Sequence, residues 1–199
     1  MIKYLIYLVF DLIFYTFGVF EKKLFNVIEK KKKKIIIFDI GCFRGSFFKK
    51  FYNSKKIKNQ KIIFFFFDIN PNVKRYLKDY INKKNIFYEY LAVGKKNQKI
   101  DYNFNKFFES SGSSTSNVYK NDKLWVFSRK LFLKLFLQKT PDFEKIKIPS
   151  IKLDTYIKKK KIKHIDILKI DVEGSELDII SGMKSSLLKK KFTAIQIEI

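Results

Sequence analysis

The stretch Ile35-Ile36-Ile37-Phe38-Asp39-Ile40-Gly41-Cys42-Phe43-Arg44-Gly45 decides the fold. An apolar run of strand length ends in an acid, a glycine follows two residues later, and a second glycine comes four after the first. A new apolar pattern then begins. This reads as a buried strand, a tight turn and a helix start. Such a turn lets the backbone approach a ligand at the carboxyl end of a parallel strand, where open α/β sheets bind nucleotides.

Outward from that turn the same grammar repeats. The first strand is predicted over Lys34–Ile40 and its helix over Gly45–Asn53. After the polar loop Ser54–Gln60, Lys61–Phe67 reads as a second buried strand ending at Asp68. Asn70-Pro71 predicts a helix running to Asn82, with proline in its favoured first turn. Ile86–Val93 predicts a third strand. Two βα units and a further strand predict a parallel sheet with right-handed crossovers. Residues 95–150 are less regular, with a serine-rich loop at 110–116, an amphipathic helix over 124–137 and a short strand at 145–151. They form an insertion between the third and fourth core strands, either a lid over the acceptor or a scaffold excursion. Leu153–Lys160 then reads as a helix, Ile165–Asp171 as a strand, Ser175–Leu188 as a helix and Phe192–Ile199 as a strand.

The 199 residues fit one domain with an adequate core. A net charge of +24 invites a nucleic-acid or anionic-membrane reading. Yet among 43 basic residues arginine occurs only at Arg44, Arg75 and Arg129, and arginine is the favoured reader of phosphates and base edges. Abundant Phe, Ile, Asn and Lys, with alanine only at Ala92 and Ala194, is the bias an AT-rich genome imposes. The lysines therefore read as solvated surface ahead of a functional basic face. A single cysteine excludes an internal disulfide, and a single histidine, His164, excludes a multi-histidine metal site within the chain.

Residues 1–33 are expected to form an apolar helix and a lysine linker ahead of the domain at 34–199. From Tyr4 to Phe20 the only charge is Asp11, at the short limit for the roughly 20 residues a spanning helix needs. Lys3, Tyr7, Asp11, Gly18 and Lys22 share one narrow stripe at helical phase. A one-sided polar stripe suits packing on the domain or a partner, or contact with a membrane surface through residues 1–29, better than immersion in lipid. The expected location is the cytoplasm, either free or peripheral on the inner face of the membrane.

Asp39, Asp68 and Asp171 each end a predicted buried parallel strand, so they converge on one rim of the sheet. Burying unpaired carboxylates is costly, which points to a ligand, although each acid could instead cap the next helix. The first turn is neither G-x-G-x-x-G nor a P-loop, and an acid ahead of it repels phosphate. That acid would attract an ammonium or sulfonium group, and Asp68 is placed to bind ribose hydroxyls. S-adenosyl-L-methionine, a cationic amino-acid nucleoside, matches both ends. Gly41, Cys42, Gly45 and Asn70 complete the candidate cofactor loops.

The run Asp166-Ile167-Leu168-Lys169-Ile170-Asp171-Val172-Glu173-Gly174-Ser175-Glu176, followed by Ile179-Ile180-Ser181-Gly182, resembles the signature of the FkbM-type methyltransferase family. Ile35–Gly45, Phe67–Pro71, Ala92-Val93-Gly94, the serine loop and Leu153–Ile157 resemble further landmarks in the same order. The resemblance implies a class I, Rossmann-like methyltransferase using S-adenosyl-L-methionine, with helices on both faces of a mostly parallel sheet. It usually implies O-methylation of a hydroxyl on a sugar or secondary metabolite. Departures are Phe43, where the family often has asparagine, and Ile69, where proline commonly follows the acid. Two further strands that class I enzymes carry after the one at Phe192–Ile199 are expected to be missing.

In that architecture the fourth core strand ends beside the transferred methyl, so Asp171 is the first candidate for a general base. Lys169 lies on the same strand face at spacing two and would set the charge of Asp171 or orient the acceptor. Glu173 would bind acceptor or cofactor, or serve only as a charge at a helix N-terminus. No metal is expected, since two acids on adjacent turns are common without one. Two other functions stand beside this one. Nucleic-acid methylation is prompted by the charge but lacks an N-P-P-[YF]-like turn. A non-catalytic, membrane-attached remnant that binds the cofactor is the third.

Overall fold

The computed structural model describes residues 34–54, 61–106 and 143–198, together with Lys23, Leu24, Asn26, Ile28 and Glu29 of a preceding helix. The rest of the N-terminal segment, the end of the first loop, the serine loop and the helix expected at 124–137 lie outside the described residues.

Strands β1 (Ile35–Ile40), β2 (Ile62–Phe67), β3 (Ile86–Glu89), β7 (Ile165–Ile170) and β8 (Phe192–Ile197) form one five-stranded sheet in the order β3-β2-β1-β7-β8. Every pairing in it is parallel. Successive apolar side chains divide between two faces, because strand side chains alternate. Ile35, Ile37, Phe64 and Phe66 pack on one side with Phe47, Phe48 and Phe51 of helix α1 (Ser46–Tyr52). Phe38, Ile40, Phe65 and Phe67 pack on the other with Leu153, Tyr156 and Ile157 of helix α3 (Leu153–Lys159). Ile179 and Met183 join this second face. Burial on both faces is why these strands are continuous apolar runs rather than alternating ones. Leu24 and Ile28, one helical turn apart, are buried in the first face's cluster, so the end of the N-terminal segment packs on its own domain.

Four expected elements are corrected. The helix expected from Asn70 to Asn82 is one turn, α2 (Val73–Tyr76), with Pro71 in the turn before it. Asp79, Tyr80, Ile81 and Asn82 are weak helix formers, and the chain there closes into successive turns. The strand expected over Ile86–Val93 breaks after Glu89, where Leu91 N–H bonds the Glu89 carbonyl at 3.0 Å. Its remainder, β4 (Ala92–Val93), joins β5 (Gln98–Asn105) and β6 (Phe143–Ile151) in a second sheet of order β4-β6-β5. The irregular region thus contributes an antiparallel pair, β5 with β6. The last helix is interrupted at Met183, between α4 (Glu176–Gly182) and α5 (Lys184–Leu188). Gly182 sits so close to the Gly94 carbonyl that a Cβ would approach its oxygen to 2.1 Å, and that contact brings the helix against the second sheet's entry.

Candidate active site

In an open parallel sheet the crossover direction reverses at one pair of strands, and ligands bind outside the carboxyl ends there. Here that pair is β1 and β7, and a cavity of about 210 Å³ opens at their ends. Gly41, Cys42 and Phe43 line it from the first turn, and Asp68, Ile69 and Asn70 from the second. Lys169, Asp171, Val172 and Glu173 line it from β7 and its turn.

The first turn is built by backbone geometry. Gly41 (φ 80°), Phe43 (φ 41°) and Gly45 (φ 68°) all adopt left-handed conformations. At Gly41 a Cβ would lie 1.7 Å from the Asp171 carbonyl oxygen, so only glycine lets the β1 and β7 turns touch. Phe43 holds a conformation that asparagine tolerates better than phenylalanine does. That is the physical content of its departure from the family pattern.

Asp68 joins the two turns. Its carboxylate accepts the Phe43 N–H at 2.7 Å and the Asn70 N–H at 2.8 Å. Burial raises its pKa, and these two backbone donors pull it partly back. Asn70 is buried, and its side-chain oxygen accepts the Asn72 N–H at 2.9 Å. These bonds set the second turn without a side-chain cap on α2.

Lys169 anchors the other wall. Its ammonium is 2.8 Å from Asp171 Oδ2, 3.8 Å from Glu198 Oε1 and 3.9 Å from Asp39 Oδ1. Burial alone would lower its pKa, but Asp39, Asp171 and Glu198 outweigh that and hold it above the usual lysine range. Asp39 is fully buried, and neither carboxylate oxygen accepts a hydrogen bond. Burial pushes its pKa up to about 7, although Lys169 opposes the rise.

Asp171, Lys169, Glu173, Asp68, Asn70, Gly41 and Cys42 therefore meet around one cavity. Asp39 does not line it and lies beneath, beside Lys169. Gly45 starts α1 behind it, packed on Leu77. Cys42 is buried, and burial pushes its thiol well above the usual range, so it fills space. His164 is remote, hydrogen-bonded to Thr193 Oγ1 at 2.6 Å near the amino ends of β7 and β8.

Sequence reading missed two participants. Tyr102 reaches the cavity from β5, and only its alternation with buried Phe104 marked it. Glu198 joins the Lys169 cluster because β8 runs beside β7.

An open parallel α/β sheet with its cavity at the switch point defines a Rossmann-like fold. Residues 39–199 match the family model of the methyltransferase FkbM domain, and the chain belongs to that family. It is accordingly a methyltransferase by family. Comparison with curated proteins and with solved structures gives no match.

Proposed function

We propose that the protein methylates a hydroxyl group on a small molecule or glycan, with S-adenosyl-L-methionine as donor. The observation that carries this reading is the charge of the cavity wall. Asp68, Asp171 and Glu173 line it against one ammonium, Lys169, a balance suited to a cationic nucleoside and hostile to a polyphosphate. The glycine turn allows close backbone approach, as such a ligand requires. The residues present therefore fit the cofactor.

Asp68 would hold the ribose hydroxyls, and the Gly41–Phe43 turn would flank the amino-acid end. The sulfonium supplies an already activated methyl group. Alignment against the acceptor in a closed pocket can lower a barrier by roughly 7–11 kcal/mol in favourable systems. Lys169 engages one oxygen of Asp171 and leaves Oδ1 for the acceptor hydroxyl. Asp171 would take the hydroxyl proton, an effect of about 10²–10⁴-fold. Tyr102 would border the acceptor from the second sheet.

The test is calorimetry with S-adenosyl-L-methionine and S-adenosylhomocysteine on the wild type and on Asp171→Asn. Both chains should bind cofactor, and turnover on a hydroxyl-bearing acceptor should fall by about 10²–10⁴-fold in the variant. Near-normal turnover of Asp171→Asn would refute the base assignment. No heat and no thermal shift at saturating cofactor would leave a non-catalytic remnant as the better reading.

A further inference from the structure

The two ends of the parallel sheet differ in charge. The carboxyl ends carry Asp68 and Asp171 in the cavity wall and Asp39 and Glu198 beside Lys169. The amino ends carry a row of lysines and one buried acid, Asp166, whose carboxylate accepts the Ile36 N–H at 2.7 Å. Pairing of Ile35 with Ile62 and of Ile165 with Phe192 sets the register across the sheet. One residue earlier stand Lys34, Lys61 and Lys191. The ladder extends to them: Ile35 N–H bonds the Lys61 carbonyl at 2.9 Å, and Ile165 N–H bonds the Lys191 carbonyl at 2.8 Å. Lys84, two residues before β3, and Lys163, two before β7, continue the row. Lys34, Lys61, Lys84, Lys163 and Lys190 are all exposed. Composition supplies the lysines, but it does not supply their placement.

The same end carries an apolar residue out of place. Leu188, the last residue of α5 and directly ahead of Lys189-Lys190-Lys191, is 85% exposed. A protruding leucine set among ammonium groups matches the interfacial zone of a bilayer, where acyl chains take the apolar group and anionic head groups take the charge. Nucleic acid fits less well. Both described arginines, Arg44 and Arg75, lie in or beside the segments that follow the carboxyl ends of β1 and β2, so the row has no planar fork for phosphate or base edges.

We propose that the amino end of the parallel sheet is a docking surface for an anionic phospholipid bilayer, with Leu188 at the acyl boundary and the cavity facing the aqueous side. The surface lies outside the methyltransferase site and does not depend on the acceptor.

The test is co-sedimentation of the full chain with vesicles of phosphatidylcholine, alone or mixed in equal parts with phosphatidylglycerol. Binding should require the anionic lipid and fall as salt is raised. A chain carrying Lys61→Glu, Lys84→Glu, Lys163→Glu and Lys190→Glu should bind more than about 100-fold more weakly, since each lysine near such a surface contributes roughly fivefold. Leu188→Ser, at an exposed position, should weaken binding by roughly tenfold without changing the fold. Wild-type affinity in the folded charge-reversed chain would overturn the proposal, as would unchanged affinity in Leu188→Ser. Equal binding to phosphatidylcholine alone, or tighter binding to duplex RNA or DNA than to the anionic vesicles, would overturn it as well.

Discussion

The two ends of the parallel sheet hold charge in opposite ways. At the carboxyl ends one buried ammonium, Lys169, is shared by Asp39, Asp171 and Glu198. At the amino ends lysines stand in water, and the apolar rows begin only at the next residue. A buried charge draws its energy from fixed partners in a low dielectric, whereas a solvated one is screened and replaceable. The carboxyl end should therefore resist substitution, and the amino end should tolerate it unless a partner is present.

The largest expected effect breaks the carboxyl end outright. Asp171→Asn should lower turnover by about 10²–10⁴-fold while cofactor affinity stays near wild type; steady-state kinetics beside calorimetry would show it. Lys169→Met should cost roughly 3–5 kcal/mol in a denaturant titration, because it leaves the buried Asp39 carboxyl without its cation. Gly41→Ala should cost about 3 kcal/mol or more, since its Cβ would meet the Asp171 carbonyl oxygen at 1.7 Å with φ at 80°. An Ala variant as stable as wild type would show that the two turns can separate without loss.

The Asp39 carboxyl sharpens the comparison through pH. Its folded pKa, raised to about 7, lies above the ordinary 3.8. Between those values the folded state holds a proton that the unfolded state has released, so stability falls as pH rises through that window. It is level below the window and above it. The difference between wild type and Asp39→Asn should change by up to about 4 kcal/mol from pH 4 to pH 7, readable from denaturation midpoints across that range. A pH-independent difference would mean that Asp39 titrates normally. At the amino end, Lys84→Glu should move stability by less than about 0.5 kcal/mol, the smallest effect of the set.

Much of this was legible in one dimension. Continuous apolar strands ending in Asp39, Asp68 and Asp171 announced a parallel sheet, because burial on both faces leaves no room for alternation. The motif from Lys169 to Gly174 announced the family, and spacing two put Lys169 against Asp171, now seen at 2.8 Å. The helix after Asn70 was overread, since proline and asparagine mark a start without saying how far weak helix formers continue it. The break in the third strand and the second sheet were hidden too, because pairing of β5 with β6 joins residues far apart in the chain, from Gln98 with Ser150 to Asn105 with Phe143.

Sequence alone determined the strand grammar, the family and the chemistry of the cavity wall, since each is carried by local pattern and residue type. Tertiary structure decided that Asp39 lies beneath the cavity rather than in it, that Tyr102 and Glu198 arrive from distant strands, and that Lys34, Lys61, Lys84, Lys163 and Lys190 share one end of the sheet. Those facts depend on strand order and register, which are set by packing between segments far apart in the chain.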